Sequence, residues 1–274
     1  MARYATKAAL RELEAQLTEH DEAVLRRVSD LRFVTGDQLR RLHFADIDVR
    51  ASARAARRAL LRLTRLDCLQ RLPRQIGGAR RGSAGFVYHL GLAGQRLAIE
   101  RSWLPKHRTR GPQIPGTLFL AHSLQIAELH TLLVEADRAR RIELLQLEAE
   151  PASQRWYGGA VGPQRTLKPD SYARLGVGEF EDSYFVEVDM ATEGSSALER
   201  KLRQYVEYEA TGLEQAEHGV FPKALWLTPD GKRATAIAAC IERLPHSAQE
   251  LFVVTPFDEW DVTHGRKIVH TASH

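Results

Sequence analysis

Tyr184-Phe185-Val186-Glu187-Val188-Asp189-Met190 is a short apolar run that closes on two carboxylates. Residues two apart on a strand project from the same face, so this run predicts a buried strand presenting Glu187 and Asp189 side by side. Upstream, Pro169-Asp170 sets a third carboxylate where the chain is extended, and downstream Lys201, Gln204 and Tyr205 fall on a helix expected over about Ser195 to Ala210. A divalent cation can bridge such carboxylates. Mg²⁺ or Mn²⁺ held by Asp170, Glu187 and Asp189 would polarise a phosphate and activate a water, and Lys201 could stabilise the charge that develops on phosphorus.

The elements around this run give a mixed α/β order. A helix from about Leu118 to Arg140 leads into strands Ile142 to Leu147, Leu167 to Leu175 and Tyr184 to Met190. After the helix at Ser195 come a strand at Lys223 to Leu227, a helix at Arg233 to Arg243 and a strand at Leu251 to Thr255. Such alternation predicts a mixed central sheet with helices against it.

Charge separates the two ends of the chain. Lys and Arg outnumber Asp and Glu by 23 to 11 over residues 1–116, whereas residues 117–274 carry 16 against 24. The first part is thus +12 and the second −8, which argues for one domain facing a polyanion and another carrying carboxylates. Residues 103–117, with three prolines and two glycines and no apolar period, are expected to link domains over 1–102 and 118–274. No apolar run approaches the roughly 18 residues of a membrane span, and Glu12 and Glu14 break a signal-peptide reading, so a cytoplasmic protein without a membrane partner is expected. Cys68 and Cys240 lack metal-ligand spacing, and neither a disulfide framework nor a zinc site is expected.

In the first domain, Val24, Leu25, Val28 and Leu31 recur at helical spacing, and Thr35-Gly36-Asp37-Gln38 predicts a capping box that opens a second helix. A third helix, from about Val49 to Leu66, sets Ala53, Ala56, Leu60 and Leu63 on one side. On the other lie Arg50, Arg54, Arg57, Arg58, Arg62 and Arg65, within an arc of about 140° at ~100° per residue. In isolation such a face is more often merely solvated. Two features favour DNA: a pair of short strands follows, and the loop between them carries Arg80 and Arg81 among glycines, where they could reach a phosphate backbone or a minor groove. Together these predict a winged helix-turn-helix whose partner is double-stranded DNA.

The acidic strand with Pro169-Asp170 ahead of it resembles the PD-(D/E)xK restriction-endonuclease-like superfamily. That resemblance carries Asp170 and Glu187 to metal-ligand positions, likens Gln204 and Tyr205 to the Gln-x-x-x-Tyr ending of some branches, and implies a nuclease-like fold. Asp189 stands where the superfamily has lysine, and Lys201 on the following helix is the candidate replacement. Across residues 20–260 the order of Val24-Leu25, Thr35 with Gln38-Leu39-Arg40-Arg41-Leu42, His122-Ser123-Leu124, Pro169-Asp170, Glu187-Val188-Asp189 with Thr192-Glu193, and Lys201 with Tyr205 resembles the replication-relaxation family of plasmids and integrative elements. The resemblance implies DNA binding linked to replication, or to relaxation and transfer, of a mobile element, and the acidic residues with Lys201 make metal-dependent strand nicking the expected activity. Other replication or transfer proteins and a second copy of the chain are further partners that it allows.

Structural readings stand beside these. Glu128 and Glu193 could complete the acidic site, but each reads more readily as a surface ion-pair partner. Tyr205 and Tyr208 on an amphipathic helix read as core, and the absence of any His-x-His pair disfavours a tyrosine relaxase with a histidine-held metal. The alternative to a nuclease is a non-catalytic initiator or regulator whose degenerate second domain serves for dimerisation or docking.

Overall fold

Local sequence signals start most of the first helices. A computed structural model of the chain describes residues 6–46, 48–72, 85–105, 115–158 and 163–264. Thr6 caps α1 (Lys7–Glu14), and reciprocal capping boxes, Thr18 with Asp21 and Thr35 with Gln38, open α2 (Glu19–Leu31) and α3 (Gly36–His43). Each box satisfies backbone N–H groups that the first turn leaves without partners. Asp48 accepts from the N–H groups of Arg50 and Ala51 at the start of α4 (Val49–Arg65).

Three short strands complete this region. β1 (Val34–Thr35), β2 (Leu69–Arg71) and β3 (Val87–Leu90) pair antiparallel in the order β1-β3-β2. Then comes α5 (Leu92–Glu100). Two glycines let the start of α5 lie against the chain ahead of β2. A Cβ at Gly91 would stand 2.2 Å from the Asp67 carbonyl oxygen, and one at Gly94 2.1 Å from that of Cys68, so no side chain fits at either position. The loop expected to carry Arg80 and Arg81 lies outside the described residues, as does most of the expected linker.

α6 (Thr117–Arg138) is long and apolar enough to cross a membrane by length and composition. A third of that apolar window is buried, and Leu118 and Phe119 at its start are exposed. Ala127, Leu129, His130 and Leu133 are buried on it, and its Glu128 and Glu135 both take the Arg41 guanidinium of α3. The chain divides into two compact units at Glu135/Ala136, so the predicted second-domain helix contributes most of its length to the first unit.

The second unit is built on β4 (Glu143–Ala149), β7 (Ser171–Val177), β8 (Phe180–Val188), β9 (Lys223–Thr228) and β10 (Phe252–Pro256), in the order β10-β9-β8-β7-β4. β4, β7 and β8 are antiparallel, and β8, β9 and β10 are parallel. The fold is α+β with the expected mixed sheet. A small hairpin, β5 (Arg155–Tyr157) with β6 (Arg165–Leu167), precedes β7. The predicted single strand over Leu167 to Leu175 is therefore two, because Lys168-Pro169-Asp170 separates β6 from β7. Proline offers no N–H to a ladder.

Helices α7 (Ser195–Glu209) and α8 (Leu213–His218) lead from β8 to β9, and α9 (Gly231–Ile241) and α10 (His246–Gln249) lead from β9 to β10. Such crossovers are what parallel neighbours require. Tyr172, Phe185, Leu202, Tyr205 and Trp226 pack in the core between sheet and helices, each about 1% exposed or less. Burying side chains of this size stabilises by about 1.5–3 kcal/mol each.

Candidate functional site

β8 delivers Glu187 into the interior of the second unit, where it is 1% exposed. In register it lies beside Trp226 of β9. A carboxylate this deep needs partners on both oxygens. α7 supplies them: the Tyr205 hydroxyl donates to Oε1 at 2.5 Å, and the Lys201 ammonium lies 2.6 Å from Oε2. Lys201 and Tyr205 are four apart on α7 and so share the face turned to the sheet. The Lys201 ammonium also stands 5.5 Å from the centre of the Trp226 ring.

Asp170, half-buried, follows Pro169 at the mouth of β7, and its Oδ2 accepts from the Val188 N–H at 2.8 Å. Its charge reaches Glu187. Burial, with Asp170 adding to it, pushes the Glu187 carboxyl up to about 7 against the pull of Lys201 and Tyr205. Burial works against the Lys201 ammonium, but Glu187 and then Asp170 outweigh it and hold its pKa above the ordinary lysine value. The Tyr205 hydroxyl, buried and facing Glu187, is raised well above the usual tyrosine range.

Asp189 does not join this group. β8 ends at Val188, and both Asp189 oxygens are taken by the Arg233 guanidinium at 2.8 Å each. Arg233 sits in the first turn of α9, where Asp230 caps its N–H, and it also donates to the Glu193 carbonyl at 3.1 Å. Glu193 itself is exposed. Glu128 belongs to the first unit, where it pairs with Arg41 at 2.6 Å and accepts from Gln38 at 2.9 Å, the ion-pair role that reads more readily from the sequence. Gln204 is half-buried and lines an open groove along α7.

Among the described residues, no three His, Cys, Asp or Glu side chains gather to hold a metal ion. What remains of the expected trio is a pair, Asp170 and Glu187. Mg²⁺ is commonly held through one or two carboxylates with water and substrate phosphate completing its shell, so this pair fits it where Lys201 yields Oε2 of Glu187, the buried oxygen that lacks a hydrogen bond. Asp189, with both oxygens on a guanidinium, does not fit as a third ligand.

In the first unit, Ser52, Ala56, Leu60 and Leu63 form the buried face of α4, while Ala53, expected there, is exposed. All six predicted arginines are exposed, but they are not equivalent. Arg62 lies at the edge of the arc and donates to both oxygens of buried Asp21 at 2.5 Å. Arg50, Arg54, Arg57, Arg58 and Arg65 make no side-chain ion pair or hydrogen bond among the described residues.

Residues 25–224 match the family described as replication-relaxation, a span that holds the α4 arginines, Asp170, Glu187, Lys201 and Tyr205. The chain belongs to the replication-relaxation family. No curated protein and no solved structure matches it. Two residues that shape the site of this replication-relaxation protein, Trp226 and Arg233, lie past the matched span. The sequence held a signal for the second: Asp230 as an N-cap places Arg233 in the first turn of a helix. It held none for which carboxylate that arginine would meet.

Proposed function

We propose that this replication-relaxation protein binds the DNA of a mobile element through α4 and nicks one strand in its second unit. In this reading α2, α3 and α4 with the β1-β3-β2 sheet form a winged helix-turn-helix, and α4 is the recognition helix. Five arginines without side-chain partners among the described residues supply affinity through phosphates, a contribution that carries no sequence information by itself. The second unit is read as nuclease-like.

The observation that carries the nicking reading is the Lys201 ammonium on Glu187, 2.6 Å away, with Asp170 close enough to raise the same carboxyl. Acid and amine come from separate elements, in the order that a lysine moved from the strand to the next helix would give. Asp170 and Glu187 would hold Mg²⁺ or Mn²⁺, which supplies polarisation of the scissile phosphate and a more acidic attacking water. Lys201, kept protonated by Glu187, is positioned to offset charge developing on phosphorus.

The second reading is a non-catalytic initiator whose second unit serves as a docking or dimerisation surface. The bidentate Asp189–Arg233 pair favours it, since an aspartate stands at the lysine position and is unavailable as a ligand.

Nicking of supercoiled plasmid bearing the element's own origin, with Mg²⁺ or Mn²⁺, decides between them. The natural protein is expected to nick, and Asp170→Ala and Glu187→Ala to bind the plasmid without cutting it. Binding by all three proteins with cutting by none would sink the nuclease reading.

A further inference from the structure

α7 has a second face. Ser196, Arg200, Arg203 and Gln204 fall within an arc of about 100° on this helix, roughly 60° round from Lys201 at its nearer edge. That face and the strand β6 wall an open groove of about 690 Å³. The charges along it are unequally matched. Glu207 is held by Arg165 across the groove, and Glu199 accepts from Arg243 at 2.7 Å. Arg200 and Arg203 are exposed and make no ion pair or side-chain hydrogen bond among the described residues. Two uncompensated guanidinium groups therefore line a concave surface in the half of the chain whose formal balance is −8.

We propose that this groove binds the backbone phosphates of a DNA strand, so that the helix carrying Lys201 and Tyr205 on its inner face holds the nucleic acid on its outer one. The proposal rests on the DNA reading above. Chemistry selects the occupant. A planar guanidinium matches two phosphate oxygens at once, and two of them on neighbouring turns suit a repeating anion. Groove carboxylates already paired with arginine oppose an anion less than free ones would. An acidic unit that would otherwise repel DNA thereby gains a local path for it, and Gln204 stands between the groove and Lys201 on the helix.

The test is the salt dependence of binding of fluorescein-labelled oligonucleotides of mixed sequence, single-stranded and duplex, to the full chain. Compared are the natural protein, Arg200→Ala with Arg203→Ala, the same two positions changed to Lys, and an α4 variant with Arg54, Arg57 and Arg58 changed to Ala. Loss of two phosphate contacts should lower the slope of log K against log salt by about 1.4 for single strands or about 1.8 for duplex. The lysine pair should keep most of the slope, and thermal melting of the alanine pair should match the natural protein. A slope unchanged in the alanine pair but lowered in the α4 variant overturns the groove and leaves the DNA reading standing. No binding by the natural protein overturns both. A lysine pair as weak as the alanine pair also overturns the phosphate-contact proposal.

Discussion

Tyr205 donates its hydroxyl hydrogen to Oε1 of Glu187 at 2.5 Å, tying the middle of α7 to the end of β8 inside the core. Tyr205→Phe keeps the ring and removes the donor, leaving a buried carboxyl oxygen unsatisfied. The expected loss in unfolding free energy is about 1–3 kcal/mol by urea titration, with no change in circular dichroism. A variant as stable as the natural protein would show that the bond contributes nothing.

Lys201→Met should cost more at alkaline than at acid pH. With the ammonium gone, an ionised Glu187 has no counter-charge, and breaking a buried pair typically destabilises by about 3–5 kcal/mol. At pH 5 Glu187 takes up a proton and the loss should shrink. Glu187→Gln combined with Lys201→Met should recover much of the stability at pH 8. Equal losses at both pH values would contradict the pairing.

Glu187 also sets a pH dependence in the natural protein. Its folded value of about 7 exceeds the ordinary 4.5, so between these the folded chain keeps a proton that the unfolded chain has released. Stability contributed by the neutral acid is therefore present below about pH 4.5 and is lost as pH rises towards 7, by about 3 kcal/mol in all. Glu187→Gln should remove this slope from urea midpoints measured across that window.

Arg233→Ala should take the guanidinium from both oxygens of Asp189, leaving Oδ2 only the Ala191 N–H, and loosen the turn between β8 and α7, at a cost of about 2 kcal/mol. Arg233→Lys should restore only part of it, because an ammonium cannot make the two parallel bonds. Full recovery in the lysine variant would mean that charge alone matters there.

The α4 arginines should separate by their partners. Arg62→Ala leaves buried Asp21 without its guanidinium and should lower the stability of the first unit by about 1–2 kcal/mol, softened because Thr18 still donates to Asp21. Arg57→Ala should leave melting unchanged and reduce DNA affinity. The reverse pattern would exclude the assignment of roles.

These contrasts mark what the sequence could and could not reveal. Helices α2, α3 and α4 were legible because their starts and apolar faces are local, the Thr35–Gln38 capping box most plainly. The approach of Lys201 to Glu187 was implied by the resemblance to the PD-(D/E)xK superfamily, in which the lysine can move to the following helix. Long-range pairs were not legible. Asp189 and Arg233 are 44 residues apart and Asp21 and Arg62 41, and no periodicity marks which of many charges meet. Six arginines spaced alike on α4 differ only in what the fold puts opposite them. The proline at 169 was visible, but its break between β6 and β7 depended on a hairpin too short to register as two strands.

The change from antiparallel to parallel pairing at β8 has a consequence for the order of assembly. A chain emerging from the ribosome as far as Glu209 already contains Asp170, Glu187, Lys201 and Tyr205, and can pair β7 with β8 through a tight turn. It lacks β9, the neighbour that registers Glu187 beside Trp226. Pairing across a crossover that includes α7 and α8 closes late, because its entropy must be met before its contacts form. The ionisable groups are thus synthesised well before the wall that dehydrates them, and the nascent second unit stays chemically unfinished until β9 docks.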